Sequence, residues 1–302
     1  MDANSSVSPG QPAGSFTATG RGPRLFSGGG GTRATVVSSV STVVVLGALA
    51  TIFLLAPGAR AVEHEFFSPT NLWHSFIGNP KQGYYSVGAA IWLNIRMFLV
   101  AEVLILALAL LVALIRQSVS PALFPIRILS TIYVDFFRGV PLILVIFALG
   151  LGLPALNLPV VSSQPDVVYG VAALVLSYSA YVSEVYRAGL NSVHFSQVSA
   201  ARSLGLSQGT ALRYVVLPQA VRNIIPPLLN DFISLQKDTA LVGTLGVIEA
   251  NKAAGIYSET VFNFSSFTVA AILFLILTIP LARFTDRLIE RDRRRRLALG
   301  AQ

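Results

Sequence analysis

The chain has 302 residues, of which 53% are hydrophobic and 12% are charged, whereas about 25% are charged in soluble domains. Its mean hydropathy of +0.67 indicates that much of its surface faces lipid, which excludes a soluble globular protein. The formal net charge of +8 would suit nucleic acid, but in a membrane protein basic residues report orientation instead. The absence of cysteine excludes disulfides and thiolate metal sites.

The N-terminal region combines a polar tail with a first apolar segment. Residues 1–33 are rich in Gly, Ser and Pro, so we expect a disordered cytoplasmic tail. The uncharged stretch 34–56 can cross a hydrocarbon core of about 30 Å and predicts an extra N-terminal transmembrane helix. A cleaved signal peptide is the alternative, because arginines precede the stretch and Ala59-Arg60-Ala61 resembles a cleavage site. The apolar core exceeds the roughly 7–15 residues of a signal peptide, which favours the helix and makes residues 57–84 an extracytoplasmic loop.

Five further apolar stretches predict transmembrane helices at 88–115, 128–153, 167–190, 223–247 and 266–289. Of the basic residues outside the spans, Arg60, Lys81 and Lys252 fall on one side of the membrane, and all others fall on the side of both termini. The positive-inside rule therefore predicts a multi-pass plasma-membrane protein with both termini in the cytoplasm. Residues 291–302 form a basic cytoplasmic tail that we expect to meet anionic membrane lipid rather than nucleic acid. The sequence thus predicts an all-α, polytopic integral membrane protein with about six transmembrane helices.

Between the fourth and fifth predicted spans, residues 191–221 are too polar to cross the membrane. Their apolar spacing predicts a cytoplasmic hairpin of two short helices. Gly205 can adopt the left-handed conformation that closes the first helix, and Ser207 can cap the second. Pro218 is expected to end the second helix. On spacing alone, an ordinary surface loop is as good an interpretation as a compact docking surface.

Four motifs in and around this hairpin resemble those of ABC importer permeases of the polar amino acid branch. The first is similar to the family's EAA loop and comprises Ser199-Ala200-Ala201, Gly205 and a run that ends in Leu217-Pro218. The others are the run 181–190 before the loop, the run 237–241 after it, and the upstream run 133–141, which is similar to the family's Phe-Arg-Gly-x-Pro segment.

The resemblance covers residues 85–290 and implies the five-helix core of a type I ABC importer permease, to which 34–56 adds one helix. It implies a subunit that moves a polar or charged amino acid into the cytoplasm by alternating access. Separate ABC ATPase subunits would hydrolyse ATP-Mg, and an extracytoplasmic substrate-binding protein would deliver the substrate. A second permease subunit, identical or paralogous, would line the other half of the pathway.

The resemblance also places part of the hairpin against the ATPase. The residues implied at this contact are Ser199, Ala200, Ala201, Gly205, Leu217 and Pro218. Small residues there let the two backbones approach closely. Ser199 replaces the family's usual glutamate, which removes one charge contact with the partner but keeps the spacing of the motif.

The sequence shows no carrier of enzymatic chemistry. It contains no GxxxxGK[ST] motif for ATP and no HExxH or GxSxG motif. The three histidines have no metal-ligand spacing. We therefore expect no catalytic residue, no metal site and no cofactor bound by this chain.

Ionisable residues within the predicted spans are costly, which makes them candidates for the substrate path. Glu102 lies near the middle of its span, and Glu184 follows Tyr181 in the inner half of the fourth span. Lys237 and Asp238 lie centrally in the fifth. A zwitterionic amino acid needs an anion near its ammonium and a cation near its carboxylate. The hypothesis is that Glu184 or Glu102 meets the ammonium and Lys237 the carboxylate.

Pairing of these charges with each other is the structural alternative. Lys237 has Asp238 and Asp231 within helical reach, and Asp135 and Arg138 are three residues apart near the cytoplasmic boundary. The upstream motif is accordingly predicted to be structural, and its residues are Asp135, Arg138, Gly139 and Pro141.

Two further expectations concern the helix breaks and the energy source. Pro226-Pro227 should interrupt the helix at the start of the fifth span, as in transporters whose helices break near mid-membrane. An ion-gradient-driven secondary transporter or channel, working through Glu102 and Glu184 without an ATPase partner, is the alternative function.

Overall fold

The computed structural model describes residues 32–300, which form helices, turns and loops with no strand among them. The helices are α1 Thr32–Leu55, α2 Ala59–Phe67, α3 Pro69–Ile77, α4 Val87–Gln117, α5 Phe124–Gly139, α6 Leu142–Phe147, α7 Leu153–Ala155, α8 Asp166–Asn191, α9 Phe195–Ser203, α10 Gln208–Ala211, α11 Leu217–Asp238, α12 Ala250–Val261 and α13 Ser265–Gly300. Short π-helical turns, Ala148–Gly152 and Leu212–Val216, join α6 to α7 and α10 to α11. The predicted tail at 1–33 lies outside the described residues except for its last two positions.

The chain divides into two compact units after Ala59. In the first unit, α1 exposes its apolar side chains throughout Val36–Leu55, as expected for a helix surrounded by lipid. The second unit contains α3 to α13. Its segment 60–84, which was predicted to be a loop, contains α3 and most of α2.

The described residues contain four helices that are long and apolar enough to cross a membrane. They are Val36–Leu55, Val87–Gln117, Asp166–Asn191 and Ser265–Arg291. A fifth crossing is possible if the bent pair of Pro121–Gly139 and Leu142–Ala155 counts as one span. The predicted number of six is not confirmed, because α11 is not among the helices that meet this length and hydropathy criterion.

A sharp bend interrupts the predicted span at 128–153. The first arm ends at Gly139, the second begins at Leu142, and the helix direction changes by 111° between them. Val140 is extended, with φ −97° and ψ 130°, because the ring of Pro141 disfavours the helical conformation in the residue before it. Pro141 also lacks an N–H, so the helix can only restart after it.

The core of the second unit forms around α8, which packs against α4 and α11. Buried Phe98, Ile105, Leu174 and Leu235 belong to one apolar cluster between these helices. Close packing in α8 depends on small residues, since a Cβ on Gly189 would lie 2.1 Å from Cγ1 of Ile224. Helix α8 therefore serves as the central support for residues on its neighbours.

The prediction that Pro226-Pro227 breaks the helix is wrong. Helix α11 runs through both prolines and ends at Asp238, where a 3-10 segment, Thr239–Leu245, begins. Packing of Leu228, Phe232 and Leu235 into the core offsets a backbone cost of about 3 kcal/mol per proline. The true interruption lies 11 residues after Pro227, at the end of the helix.

Candidate functional site

A cavity of about 440 Å³ lies where the α5–α6 bend meets α8 and α11. Helix α8 contributes Ser177, Tyr178 and Tyr181, and α11 contributes polar residues that are three and four positions apart and so share one face. The full lining is Phe137, Arg138, Gly139, Val140, Pro141, Leu142, Ser177, Tyr178, Tyr181, Asp231, Ser234 and Asp238.

The polar groups in this cavity are only partly satisfied. The Tyr178 hydroxyl donates a hydrogen bond of 2.6 Å to Oδ2 of Asp238. The guanidinium of Arg138 lies 5.9 Å from the ring centre of Tyr181, whose hydroxyl donates to the Arg138 carbonyl over 3.1 Å. Oδ2 of Asp231 and Oγ of Ser177 are buried and have no hydrogen-bond partner among the described residues. Two carboxylates, a guanidinium and open hydrogen-bonding atoms suit a small molecule with both positive and negative groups.

A second cavity of about 400 Å³ adjoins the first, because Arg138, Tyr181 and Asp231 line both. It extends towards the C-terminal end of α8, where Glu184 lies, and towards the start of α11, where Asn223 lies. The two cavities follow the α8–α11 boundary and together outline a path along the helices.

The structure places two of the five predicted substrate-path residues, Tyr181 and Asp238, in the first cavity. Glu184 lines the second, but its Oε1 accepts hydrogen bonds from Nη1 of Arg116 and, over 2.8 Å, from Nη1 of Arg187. Glu102 and Lys237 line neither cavity. Lys237 is exposed, and Glu102 is half-buried and interacts electrostatically with Asp231.

The proposed charge pairs do not form within the described residues. Neither Lys237 with Asp231 or Asp238, nor Asp135 with Arg138, comes within ion-pair distance in residues 32–300. Asp231, which was considered only as a pairing partner, and Arg138, which was predicted to be structural, both line the two cavities. The available signal for Asp231 was its spacing of three and seven residues from Ser234 and Asp238.

The predicted hairpin at 191–221 is confirmed as two helical segments, α9 and α10. Gly205 has a φ of +86° and closes α9, and the Ser207 side chain accepts from the backbone N–H of Thr210 over 3.2 Å, as expected. Pro218 does not end the second segment, because α10 passes through a π-helical turn into α11 and the proline lies in the first turn of that helix. The proline is tolerated there because it directly follows the π-helical turn, where the regular i→i−4 hydrogen bonding is already interrupted.

Exposure divides the residues predicted to contact an ATPase. Ala201 is only 5% exposed and packs within the hairpin, and Ser199 is half-buried. Ala200, Gly205, Leu217 and Pro218 are exposed. Four large apolar side chains on the same segment are also exposed: Phe195, Leu204, Leu212 and Tyr214. We call the exposed members of these two sets the coupling surface.

Sequence reasoning missed a buried polar network behind the first cavity. The Glu249 carboxylate is fully buried and accepts from the backbone N–H of Asn251 and Lys252, which caps α12. Asn94 of α4 donates to Glu249 over 3.0 Å and to Thr239 over 3.1 Å. The network ties α4 to both ends of the segment that follows α11.

Comparison with known proteins identifies the class. Residues 122–295 match the family described as "Binding-protein-dependent transport system inner membrane component", and the chain belongs to this family. A probable amino-acid permease protein of Bacillus subtilis, YxeN, is 38% identical to it in a match that covers 62% of this chain and 83% of YxeN. The glutamate transport system permease protein GluC of Corynebacterium glutamicum is 34% identical, and that match covers 67% of this chain and 92% of GluC.

Solved structures agree with the fold. A structure described as an amino acid ABC transporter with histidines matches 68% of this chain and 93% of its own, with a TM-score of 0.62 and 29% identity. The inward-facing MetNI methionine ABC transporter matches in fold, with a TM-score of 0.57 and 17% identity.

The chain is therefore a multi-pass membrane protein and the permease subunit of an ABC importer. It is not itself an enzyme, because ATP is hydrolysed by a partner in such importers. The ion-gradient alternative is incompatible with this membership. Partners of two classes, an ATPase and a substrate-binding protein, follow from the family.

Proposed function

We propose that this subunit carries an amino acid with both an ammonium and a carboxylate group through the cavity at the α5–α6 bend. The observation that carries the proposal is the convergence of Arg138 with Asp231 and Asp238 around about 440 Å³. The names of the relatives, which include amino-acid, glutamine and glutamate permeases, support the same substrate class.

In this proposal Asp231 and Asp238 face the ammonium, and Arg138 faces the carboxylate. The unpartnered Oδ2 of Asp231 has no bond to give up before it accepts from a substrate. Asp238 is held in place by Tyr178, and Arg138 by its stacking near Tyr181. These residues replace Lys237 and Glu102 as the groups proposed to meet the substrate, while Tyr181 and Asp238 are kept.

Uptake by proteoliposomes that contain the whole importer tests the substrate path. The cargo is first identified by competition among labelled amino acids. Asp231→Asn and Arg138→Gln are then each expected to raise the KM for that cargo about tenfold or more, since a charge-assisted hydrogen bond contributes about 1.5–3 kcal/mol. Lys237→Met is the control, because Lys237 is exposed and outside the cavity. A raised KM for Lys237→Met with an unchanged KM for Asp231→Asn would instead support the assignment made from sequence.

We also propose that the coupling surface binds the ATPase, which holds ATP-Mg, and transmits its motion to α11. The support is the continuous helical path from α10 into α11, which connects the hairpin to Asp231 and Asp238. Ala201→Arg is a poor test, since Ala201 is buried and the change would disrupt the hairpin itself. Leu204→Asp is the sharper variant, because Leu204 is 84% exposed.

A pull-down from native membranes checks this contact. We expect the ATPase to co-purify with the parent and with Val119→Asp, but not with Leu204→Asp. Val119 is a suitable control because it is 92% exposed and lies outside the hairpin, between α4 and α5. Equal recovery with both variants would place the ATPase elsewhere.

The distribution of basic residues supports a cytoplasmic position for both termini and for the hairpin. The substrate-binding protein would then dock on the side of α2 and α3, and a second permease subunit, identical or paralogous, would complete the pathway. The domain boundaries at 1–33, 34–56, 57–84, 85–290 and 291–302 belong to this proposal. The chain has no cysteine, so single cysteines introduced at Lys81 and Val119 report sidedness directly. A membrane-impermeant thiol reagent added to intact cells should label the first position and not the second.

A further inference from the structure

A further pocket, which shares no lining residue with the two cavities described above, collects three arginines from three helices. It has a volume of about 290 Å³, near the lower end of the roughly 300–1,000 Å³ of small-molecule sites. Arg116 comes from the end of α4, Arg127 from the start of α5, and Arg187 from the end of α8. The arginine pocket is lined by Arg116, Arg127, Ile128, Thr131, Ile132 and Arg187.

The arginines of this pocket carry more positive charge than their paired carboxylate neutralises. Glu184 is the carboxylate that pairs with it, and one of its oxygens, Oε1, accepts from both Arg116 and Arg187. Arg127 has a neutral acceptor, since its Nη1 donates to the Ser118 carbonyl over 2.7 Å. Three guanidiniums thus face one carboxylate, which leaves two positive charges for an anion.

One of these guanidiniums also has an unused donor. Nε of Arg187 is buried and has no hydrogen-bond partner among the described residues. The Arg116 side chain is only 9% exposed, so water cannot readily compensate its charge. A buried donor without a partner is costly, and a bound anion would remove that cost. Planar guanidinium forks match the oxygen pairs of a phosphate group.

The mouth of the pocket is apolar. Ile132 is 59% exposed and Ile128 is 44% exposed, and both line the pocket beside the arginines. Leu129 and Phe124 extend this exposed apolar face along α5. A free phosphate ion would gain nothing from these side chains, whereas the acyl chains of a lipid would cover them.

We propose that the arginine pocket binds the phosphate group of an anionic phospholipid, whose acyl chains lie along the exposed face of α5. Basic pockets between transmembrane helices on the cytoplasmic side are suited to such headgroups. The site differs from the terminal arginine run, because its arginines come from three helices rather than from one. The lipid would join α4, α5 and α8 near the start of the arm that bends at Gly139.

Thermal unfolding of the delipidated importer complex in detergent tests this site. The complex is titrated separately with dioleoylphosphatidylglycerol, dioleoylphosphatidylcholine and inorganic phosphate. We expect phosphatidylglycerol to raise the Tm of the parent, and its half-effect concentration to increase about tenfold in Arg127→Gln. Arg127 is the residue to change because it takes no part in the Glu184 pairs.

Two further variants keep the result interpretable. Arg127→Lys retains the charge but not the fork, so it should show a smaller loss than Arg127→Gln. Arg287→Gln removes the same charge from an exposed position on α13 and should leave the half-effect concentration within about twofold, as for a weak surface interaction.

Three outcomes would overturn the proposal. An equal response of the parent and both Arg127 variants would show that the lipid binds elsewhere. An equal effect of phosphatidylcholine would show that net anionic charge is not recognised. A matching rise with inorganic phosphate alone would assign the pocket to a free phosphate ion rather than to a lipid.

Discussion

Tyr178 of α8 and Asp238 at the end of α11 are joined by a 2.6 Å hydrogen bond from the phenol to the carboxylate. The bond links the central helix of the second unit to the point where α11 ends and the 3-10 segment begins. It therefore fixes a carboxylate of the first cavity at the position where the chain changes direction.

We expect Tyr178→Phe to destabilise the importer by about 1.5–3 kcal/mol, because the bond ends on a charged group that would lose its donor. Tyr181→Phe is the matched control. Its hydroxyl donates to a neutral backbone carbonyl over 3.1 Å, so its loss should cost about 0.5–1.5 kcal/mol. The Tm of the detergent-solubilised complex measures both, and equal shifts would contradict a special role for the Tyr178 bond.

Gly205→Ala is expected to loosen the hairpin by about 1–2 kcal/mol, because Gly205 has a φ of +86° and an L-residue is strained there. The added methyl group would meet no atom within 4 Å, so the effect must come from the backbone alone. Hydrogen exchange of the α9 amides should accelerate correspondingly.

Gly209→Ala is the matched control, because it replaces a glycine of the same hairpin that does not have the strained backbone of Gly205. A Cβ at Gly209 would also meet no atom within 4 Å, but this residue lies in α10 without a positive φ. Alanine is favoured over glycine in a helix by up to about 1 kcal/mol, so exchange should be unchanged or slower. Faster exchange in both variants would refute the explanation from Gly205 strain.

Gly243→Ala should destabilise the segment between α11 and α12 through Glu249. A Cβ at Gly243 would lie 2.2 Å from Oε1 of Glu249, the atom that accepts from the backbone N–H of Lys252. Because Glu249 is fully buried, displacing it leaves a charged group without partners, and the expected loss is about 1–3 kcal/mol or more. Gly255→Ala in α12 meets no atom within 4 Å and should leave the Tm nearly unchanged.

Local signals in the sequence were sufficient to predict the two helical segments of the hairpin and the roles of Gly205 and Ser207, but not the continuation of the helix past Pro218. Gly205 and Ser207 act on their immediate neighbours, so their roles do not depend on the rest of the fold. Pro226-Pro227 shows where local reasoning fails, because core contacts of α11 outweigh the preference of proline.

The first cavity was harder to predict because its lining residues are distant in sequence. Arg138 lines the cavity next to the bend after Gly139, and although Pro141 could be recognised in the sequence, the 111° bend could not. Asn94 and Glu249 are 155 positions apart, and nothing in either neighbourhood indicates that they meet. Lys237 is next to Asp238 in the sequence but lies on the exposed side of α11.

Glu184→Gln distinguishes a structural role for Glu184 from the substrate role that its sequence position suggested. Breaking a buried ion pair by removing one partner costs about 3–5 kcal/mol, and the Arg116 side chain is only 9% exposed. Glu184 itself is 28% exposed, so we expect a loss near the lower end of that range. The Tm should fall, while the KM for the cargo stays unchanged in the protein that folds.

The double variant Arg116→Gln with Glu184→Gln supplies the control. It removes the buried charge that Glu184→Gln leaves unpaired, so it should recover part of the lost stability if the two residues stabilise each other. If instead Glu184→Gln leaves the Tm unchanged and raises the KM, Glu184 contacts the substrate in the second cavity. The ion pair with Arg116 would then orient a binding residue rather than hold α4 against α8.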